Sequence, residues 1–78
     1  MKLMRMYLVK RRQELDMSMN ETSRVVDMDF HHYRRIEQGN IDQVGFLLFC
    51  RIAHALGFGL DEILEQELIY QQERKEWN

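Results

Sequence analysis

The stretch that decides the fold spans residues 18–39 and reads SMNETSRVVDMDFHHYRRIEQG. Ser18 and Glu21 form the Ser-x-x-Glu pattern of a capping box, in which each side chain accepts a backbone N–H at the start of a helix. Asp29 can cap a second helix, which is predicted to run from Phe30 to Gln38. Because only a few residues separate the two helices, they must cross steeply, and this predicts a helix-turn-helix arrangement.

Helical segments flank this unit on both sides. Within the unit, the helix after Ser18 is short and ends near Val26. The flanking helices are predicted to run from Leu3 to Leu15, from Gln43 to Leu56 behind an Asp42 cap, and from near Leu60 towards Tyr70 or beyond. Gly39 and Gly57 can adopt the left-handed conformation that ends a helix. The 78 residues include no proline and many good helix formers, so we expect one all-α domain of five helices.

Apolar residues at helical spacing predict which faces are buried. Tyr33 and Ile36 are expected to point inward from the third helix. The expected core positions of the other helices are Met4, Leu8 and Leu15 in the first, Phe46, Phe49, Ile52, Ala53 and Leu56 in the fourth, and Leu60, Ile63, Leu64 and Leu68 in the fifth.

Charge is divided unevenly along the chain. The net charge is -2, but residues 1–40 carry eight Lys and Arg against six Asp and Glu, whereas residues 41–78 carry three against seven. Two interpretations stay open: a basic half that faces phosphate, or acidic residues that simply solvate the last helix. The single cysteine, Cys50, and the absence of a long apolar run predict a cytoplasmic protein without a membrane segment.

Residues 18–39 resemble, without a gap, the motif of the Cro and lambda-repressor-like helix-turn-helix domains, whose usual form is Ser-Gln-x-x-Leu-Ala-x-x-x-Gly-Val-Ser-x-x-x-Ile-Ser-x-Ile-Glu-x-Gly. The stretches IAHALG (52–57) and LDEIL (60–64) look like that family's fourth and fifth helices. The likeness covers about residues 8–65 of a single domain 1–78 and leaves 66–78 as a C-terminal helical extension. It implies a compact five-helix bundle that acts as a bacterial or phage transcription regulator.

The chain departs from this pattern at several positions. Met19 replaces the Gln that follows the cap and touches the DNA backbone in the family, and Asp27 replaces the Gly of the turn. Thr22 and Ser23 replace a core Leu and Ala, and Arg11 stands where an apolar residue is usual.

The resemblance implies that the third helix enters the major groove of double-stranded DNA. The predicted base contacts are Phe30, His31, His32 and Arg34, because imidazoles and guanidinium can donate to guanine and adenine acceptors and Phe can contact a thymine methyl. The predicted phosphate contacts are Arg35, Asn40, Arg24 and Lys10, although ordinary solubilising charge explains Arg24 and Lys10 equally well. In the family, the residues matching Arg12 and Glu37 form a structural ion pair.

Excess apolar residues predict a homodimer. The expected interface comprises Leu47, Leu48, Leu68, Ile69, Tyr70 and Trp77. The alternative is that the last segment folds back on the first helix and covers Met4 and Tyr7.

Two other function classes are open to a chain of this kind. Met19 and the net acidity favour a protein-interaction module, of antirepressor or antitoxin kind, on a helix-turn-helix scaffold that has lost DNA binding. A metal site or an enzyme is disfavoured: Cys50 and His54 have a spacing that permits ligation, but a buried cysteine is the better interpretation. No cofactor and no metal are therefore expected.

Overall fold

The computed structural model describes residues 2–77, so the first and last residues of the predicted domain lie outside the described part. Its five helices are α1 (Met6–Glu14), α2 (Met19–Val26), α3 (Phe30–Glu37), α4 (Phe46–Leu56) and α5 (Leu60–Trp77). Within residues 2–77 there is no strand, so the predicted all-α, five-helix architecture is confirmed. Helix α2 packs on α3 and α4, α1 packs on α3, and α4 packs on α5.

Local capping fixes the α2–α3 unit. The Ser18 hydroxyl accepts from the Glu21 N–H at 3.0 Å while the Glu21 carboxylate accepts from the Ser18 N–H at 3.1 Å, which confirms the capping box. Asp27 closes α2 in the left-handed conformation, with φ 64° and ψ 55°. Residues 27–29 alone connect α2 to α3, so the two helices are tightly joined.

The end of α3 requires Gly39. Its φ is +79°, and the Asn40 N–H reaches back to the Arg35 carbonyl at 2.9 Å, as in a Schellman motif. A Cβ on Gly39 would lie 2.1 Å from the carbonyl oxygen of Leu3. Gly39 therefore serves both the left-handed turn and the close approach of the N-terminal segment.

The core lies where α1, α2, α3, α4 and α5 converge. Its buried residues are Leu8, Val26, Ile36, Phe49, Ile52, Ala53, Leu56 and Ile63. Tyr33 and Ile36 point inward as predicted. The prediction for Phe46 is wrong: this side chain, at the first position of α4, is mostly exposed, whereas Phe49, Ile52, Ala53 and Leu56 further along the helix are buried as predicted.

The predicted starts of two helices are also wrong. Helix α1 begins at Met6, not Leu3, because the Leu3 carbonyl accepts the Tyr70 hydroxyl and Arg5 turns towards α3. Helix α4 begins at Phe46 with Gly45 as its cap, not after Asp42. Asp42 is held elsewhere, since Arg74 of α5 bonds its carboxylate.

Of the apolar stripe predicted for α5, Ile63 faces the core and the other three residues do not. Ile63 and Tyr70 are buried, whereas Leu60, Leu64 and Leu68 are exposed. Of the stripe predicted for α1, Leu8 is buried but Met4 and Leu15 are exposed. Met4 and Leu15 lie just outside α1, and in α5 the hydrogen bonds from Arg5 and Tyr7 to Glu67 and from Tyr70 to the Leu3 carbonyl hold the Tyr70 side of the helix inward.

Candidate nucleic-acid interface

One face of α3 is locked into the domain. Tyr33, Ile36 and Glu37 are buried, and they recur three and four residues apart as an inward helical face requires. The Tyr33 hydroxyl lies near Glu37 but has no hydrogen-bond partner within residues 2–77. Burial, reinforced by the charge of Glu37, raises the pKa of Tyr33, so the phenol stays neutral. The helix is thus held by apolar packing and one buried carboxylate.

Glu37 is paired by Arg12 of α1. The Arg12 Nε donates to the carboxylate at 2.9 Å and the Nη2 at 2.8 Å, a two-pronged contact. Glu37 is 0% exposed, and the Arg12 side chain is 13% exposed. The hydrogen bond that Arg12 donates to Glu37 raises the pKa of Arg12. The ion pair that the family resemblance implies is therefore present, and it joins α1 to the end of α3.

The N-terminus of α3 is fixed by Asp29. Its carboxylate accepts the backbone N–H of His31 at 3.0 Å and of His32 at 3.2 Å. The Phe30 and His31 rings pack edge to face, with centroids 5.4 Å apart. These contacts order the first turn of α3, which carries three of the four predicted base contacts.

The opposite face of α3 is open. His31, His32, Arg34 and Arg35 are exposed, and Phe30 is half-buried. Among residues 2–77, neither Arg34 nor Arg35 has an ion-pair partner. Every polar group on this face can therefore donate hydrogen bonds to a ligand.

The predicted phosphate contacts are not all brought together. Arg24 on α2 and Asn40 after α3 are exposed, and each belongs to the α2–α3 unit. Lys10 lines a groove between α1 and α5 with Gln66, Ile69 and Glu73. Because Arg12 faces α3, Lys10, two residues earlier on the helix, points away from α3.

Sequence reasoning missed that most N-terminal cations serve internal bonds. Arg5 is buried and paired with Glu67 of α5. The Arg11 Nε donates to the Leu56 carbonyl at 2.7 Å, at the end of α4 where a cation suits the helix dipole. Arg51 likewise bonds the Val26 and Asp27 carbonyls at the end of α2. Of the eight cations in residues 1–40, Arg5, Arg11 and Arg12 are therefore used inside the domain, and the residue pattern does not signal this for Arg5 and Arg11.

The residues predicted for a dimer interface fall on different surfaces. Tyr70 is wrongly assigned: it is buried inside this chain and donates to the Leu3 carbonyl at 3.0 Å. Leu48 is half-buried and packs against the core. The remaining four predicted interface residues are well exposed, and they are Leu47, Leu68, Ile69 and Trp77. The alternative, in which the last helix folds back and covers Met4 and Tyr7, holds for Tyr7, which bonds Glu67 of α5, but not for Met4, which is exposed.

No group of three or more metal-ligating side chains forms within residues 2–77. Cys50 is half-buried, not buried, and lies in an apolar hollow between α2 and α4 with Val25 and Leu47. No helix in the described part of the chain is both long and apolar enough to cross a bilayer. No protein-family model, curated protein or solved structure significantly matches this chain.

Proposed function

We propose that this protein is a sequence-specific DNA-binding transcription regulator that inserts α3 into the major groove. The observation that supports this most is the division of α3 into two faces. Tyr33, Ile36 and Glu37 hold one face in the domain, and the other presents exposed imidazole and guanidinium groups. A short helix fixed by its neighbours and by an N-cap is suited to act as a recognition helix, because base recognition requires side chains held at a fixed spacing.

The proposed base contacts follow from the chemistry of the exposed side chains. His31 and His32 donate to N7 or O6 acceptors, and Arg34 forks onto guanine. Phe30, whose ring is packed on His31, offers an edge to a thymine methyl. Arg35, Arg24 and Asn40 contact phosphate and set the register of α3 without reading sequence.

We propose that the regulator acts as a homodimer, since one small module makes few contacts and a palindromic operator offers two half-sites. The proposed interface is an apolar strip made of Phe46, Leu60, Leu64 and Leu68, which are between 40 and 72% exposed. Phe46 and Leu64 line the same hollow between α4 and α5, and Leu60, Leu64 and Leu68 follow one another at intervals of four. Of the six interface residues predicted from the sequence, this strip keeps Leu68 and leaves out Leu47, Leu48, Ile69, Tyr70 and Trp77.

Area and charge both suit a second copy. The strip exposes roughly 400 Å² of apolar surface per protomer, and a standard interface buries about 800 Å² per partner, somewhat over half of it apolar. If two α5 helices pack antiparallel around Leu68, Asp61 of one protomer lies opposite Lys75 of the other, because each is seven residues from the centre. Such a two-fold contact is self-complementary.

The DNA proposal is tested by selecting preferred sequences from a random duplex pool and then measuring affinities for a selected and a scrambled site. We expect His31→Ala with His32→Ala to abolish the preference while circular dichroism stays unchanged. His54→Ala is the matched control, because His54 is an exposed imidazole on α4. Undiminished discrimination by the double variant would remove both histidines from the site.

The dimer proposal is tested by sedimentation equilibrium at micromolar concentration. We expect Leu68→Glu to give a monomer and to weaken operator binding steeply, since it puts a charge at the proposed two-fold axis. Ile69→Glu is the control: it makes the same chemical change one residue along, on the side of α5 that faces the groove with α1. A monomeric wild type, or a dimeric Leu68→Glu variant, would show this interface to be wrong.

A second candidate function is protein binding on the same scaffold. The observation that favours it is the apolar hollow between α2 and α4, with exposed Val25 and Leu47 at its rim. The selection experiment separates the two functions, because a protein-binding module enriches no DNA sequence and its interaction with DNA shows no steep salt dependence.

A further inference from the structure

Arg5 is a buried cation at the junction of three segments. Its side chain is 0% exposed, and its guanidinium lies 4.6 Å from the centre of the Tyr70 ring. Nη1 donates to the Ile36 carbonyl and to the Ile41 carbonyl, each at 2.8 Å. Nε and Nη2 donate to the Glu67 carboxylate at 2.9 and 3.0 Å, and Nη2 also reaches the Asp42 carbonyl. The guanidinium is therefore fully committed to neighbours.

Glu67 of α5 is what makes this burial tolerable. Removing a cation from water is costly unless a counter-charge and hydrogen bonds replace the water. Burial lowers the pKa of Arg5, but the hydrogen bond and charge of Glu67 outweigh it and raise that pKa above its ordinary value. The carboxylate is itself held by the Tyr7 hydroxyl at 2.6 Å and by the Gln71 amide at 2.8 Å. Glu67 thus has a fixed position from which it holds Arg5.

The other end of this arrangement is the last turn of α3. The final four carbonyls of a helix have no partner inside the helix. Arg5 satisfies two of them, because its backbone N–H donates to the Glu37 carbonyl at 2.9 Å and its Nη1 donates to Ile36. A cation at this end also opposes the negative pole of the helix dipole. The last turn of α3 is thereby tied to α5 through one side chain.

We infer that Arg5 is a positioning residue for the DNA-reading helix α3, and that Glu67 of α5 keeps it in place. This inference rests on the proposed function for its effect on DNA, but the link between α5 and α3 stands on the contacts above. Glu67 also borders the hollow between Phe46 and Leu64 in the proposed dimer strip. Assembly through α5 therefore excludes water from the Arg5–Glu67 pair and strengthens its hold on α3.

The test compares Glu67→Gln with Glu65→Gln. Glu65 is exposed on the same helix, so both variants change the net charge equally, and only the first weakens the hold on Arg5. We expect amide hydrogen exchange of Gly39 and Asn40 in Glu67→Gln to be about tenfold faster than in wild type, with other core amides little changed. We also expect the ratio of operator to scrambled-site affinity to fall about tenfold at an unchanged salt slope, because the phosphate contacts are retained.

A milder variant keeps the test informative if Glu67→Gln fails to fold. Tyr7→Phe removes one hydrogen bond to Glu67 and keeps the ring, so it should give a smaller effect of the same pattern. Uniformly faster exchange, with undiminished discrimination by the folded protein, would reduce Arg5 to a stabilising role and overturn the inference. Unchanged exchange at Gly39 and Asn40 would do the same. If wild type selects no DNA sequence, the proposed function fails, and the exchange comparison still decides whether α5 controls the end of α3.

Discussion

The pair between Arg12 and Glu37 predicts an unequal response to removing either partner. Glu37→Gln leaves a guanidinium that is already 13% exposed and keeps a hydrogen bond to the Met17 carbonyl at 3.3 Å, so it can turn towards water. We expect a loss of about 1–3 kcal/mol in the free energy of unfolding. Arg12→Met leaves a carboxylate that is 0% exposed without its counter-charge, which costs about 3–5 kcal/mol.

These losses are large for a chain of this size. A domain of 78 residues has a stability of roughly 4–12 kcal/mol, so Arg12→Met removes a substantial part of it. Urea denaturation followed by circular dichroism measures both variants, and an unchanged m-value shows that the same unfolding is compared. Replacing both residues with Arg12→Met and Glu37→Leu should recover much of the loss. Equal costs for the two single variants, or costs below about 0.5 kcal/mol, would refute the reasoning from burial.

Five further outcomes are expected from the described contacts. Asp27→Gly should raise the free energy of unfolding by about 0.5–1 kcal/mol, because glycine adopts φ 64° without strain. Asp29→Gly should lower it, because the N-cap of α3 is lost. Thermal melting measures both variants. A hydrogen bond from the Ser18 backbone lowers the pKa of Glu21, so its stabilising effect is present above its ordinary pKa near 4.5 and is lost as the pH falls through the lower folded value. Glu21→Gln should therefore cost more at about pH 6 than at about pH 3. His31→Ala with His32→Ala should abolish DNA discrimination, and Leu68→Glu should give a monomer, as measured by the affinity and sedimentation experiments above.

The α2–α3 unit was predictable because its signals are local. Ser18 with Glu21, Asp29 and Gly39 each fix backbone groups within a few residues, and the observed ends of both helices agree with the prediction to within one residue. Asp42 is an equally good N-cap candidate, but the helix predicted to follow it begins only at Phe46. Its backbone and side chain are bound by Arg5, Gln71 and Arg74, which come from distant parts of the chain.

The rotation of α5 was not predictable from its apolar spacing. Leu60, Leu64 and Leu68 repeat every four residues as clearly as a buried row would, but Tyr70 and Glu67 bind the N-terminal segment and turn that row outward. For the candidate site, the sequence identified which residues α3 exposes. It did not reveal that Arg5 and Arg11 form hydrogen bonds inside the domain, because nothing in the sequence distinguishes a buried arginine from an exposed one.

The binding of DNA by α3 is best tested by measuring the affinity for a selected duplex as a function of salt concentration. The free cations of the α2–α3 unit are Arg24, Arg34 and Arg35. If each neutralises one phosphate, log K falls against log salt with a slope of about -2.7 per protomer and about -5.4 for a dimer. Changing Arg35 to Ala should reduce that slope by about one per protomer, whereas changing Lys10 should leave it unaltered. Absence of salt-dependent binding at low salt, or a slope that changes with Lys10 and not with Arg35, would contradict DNA binding by α3.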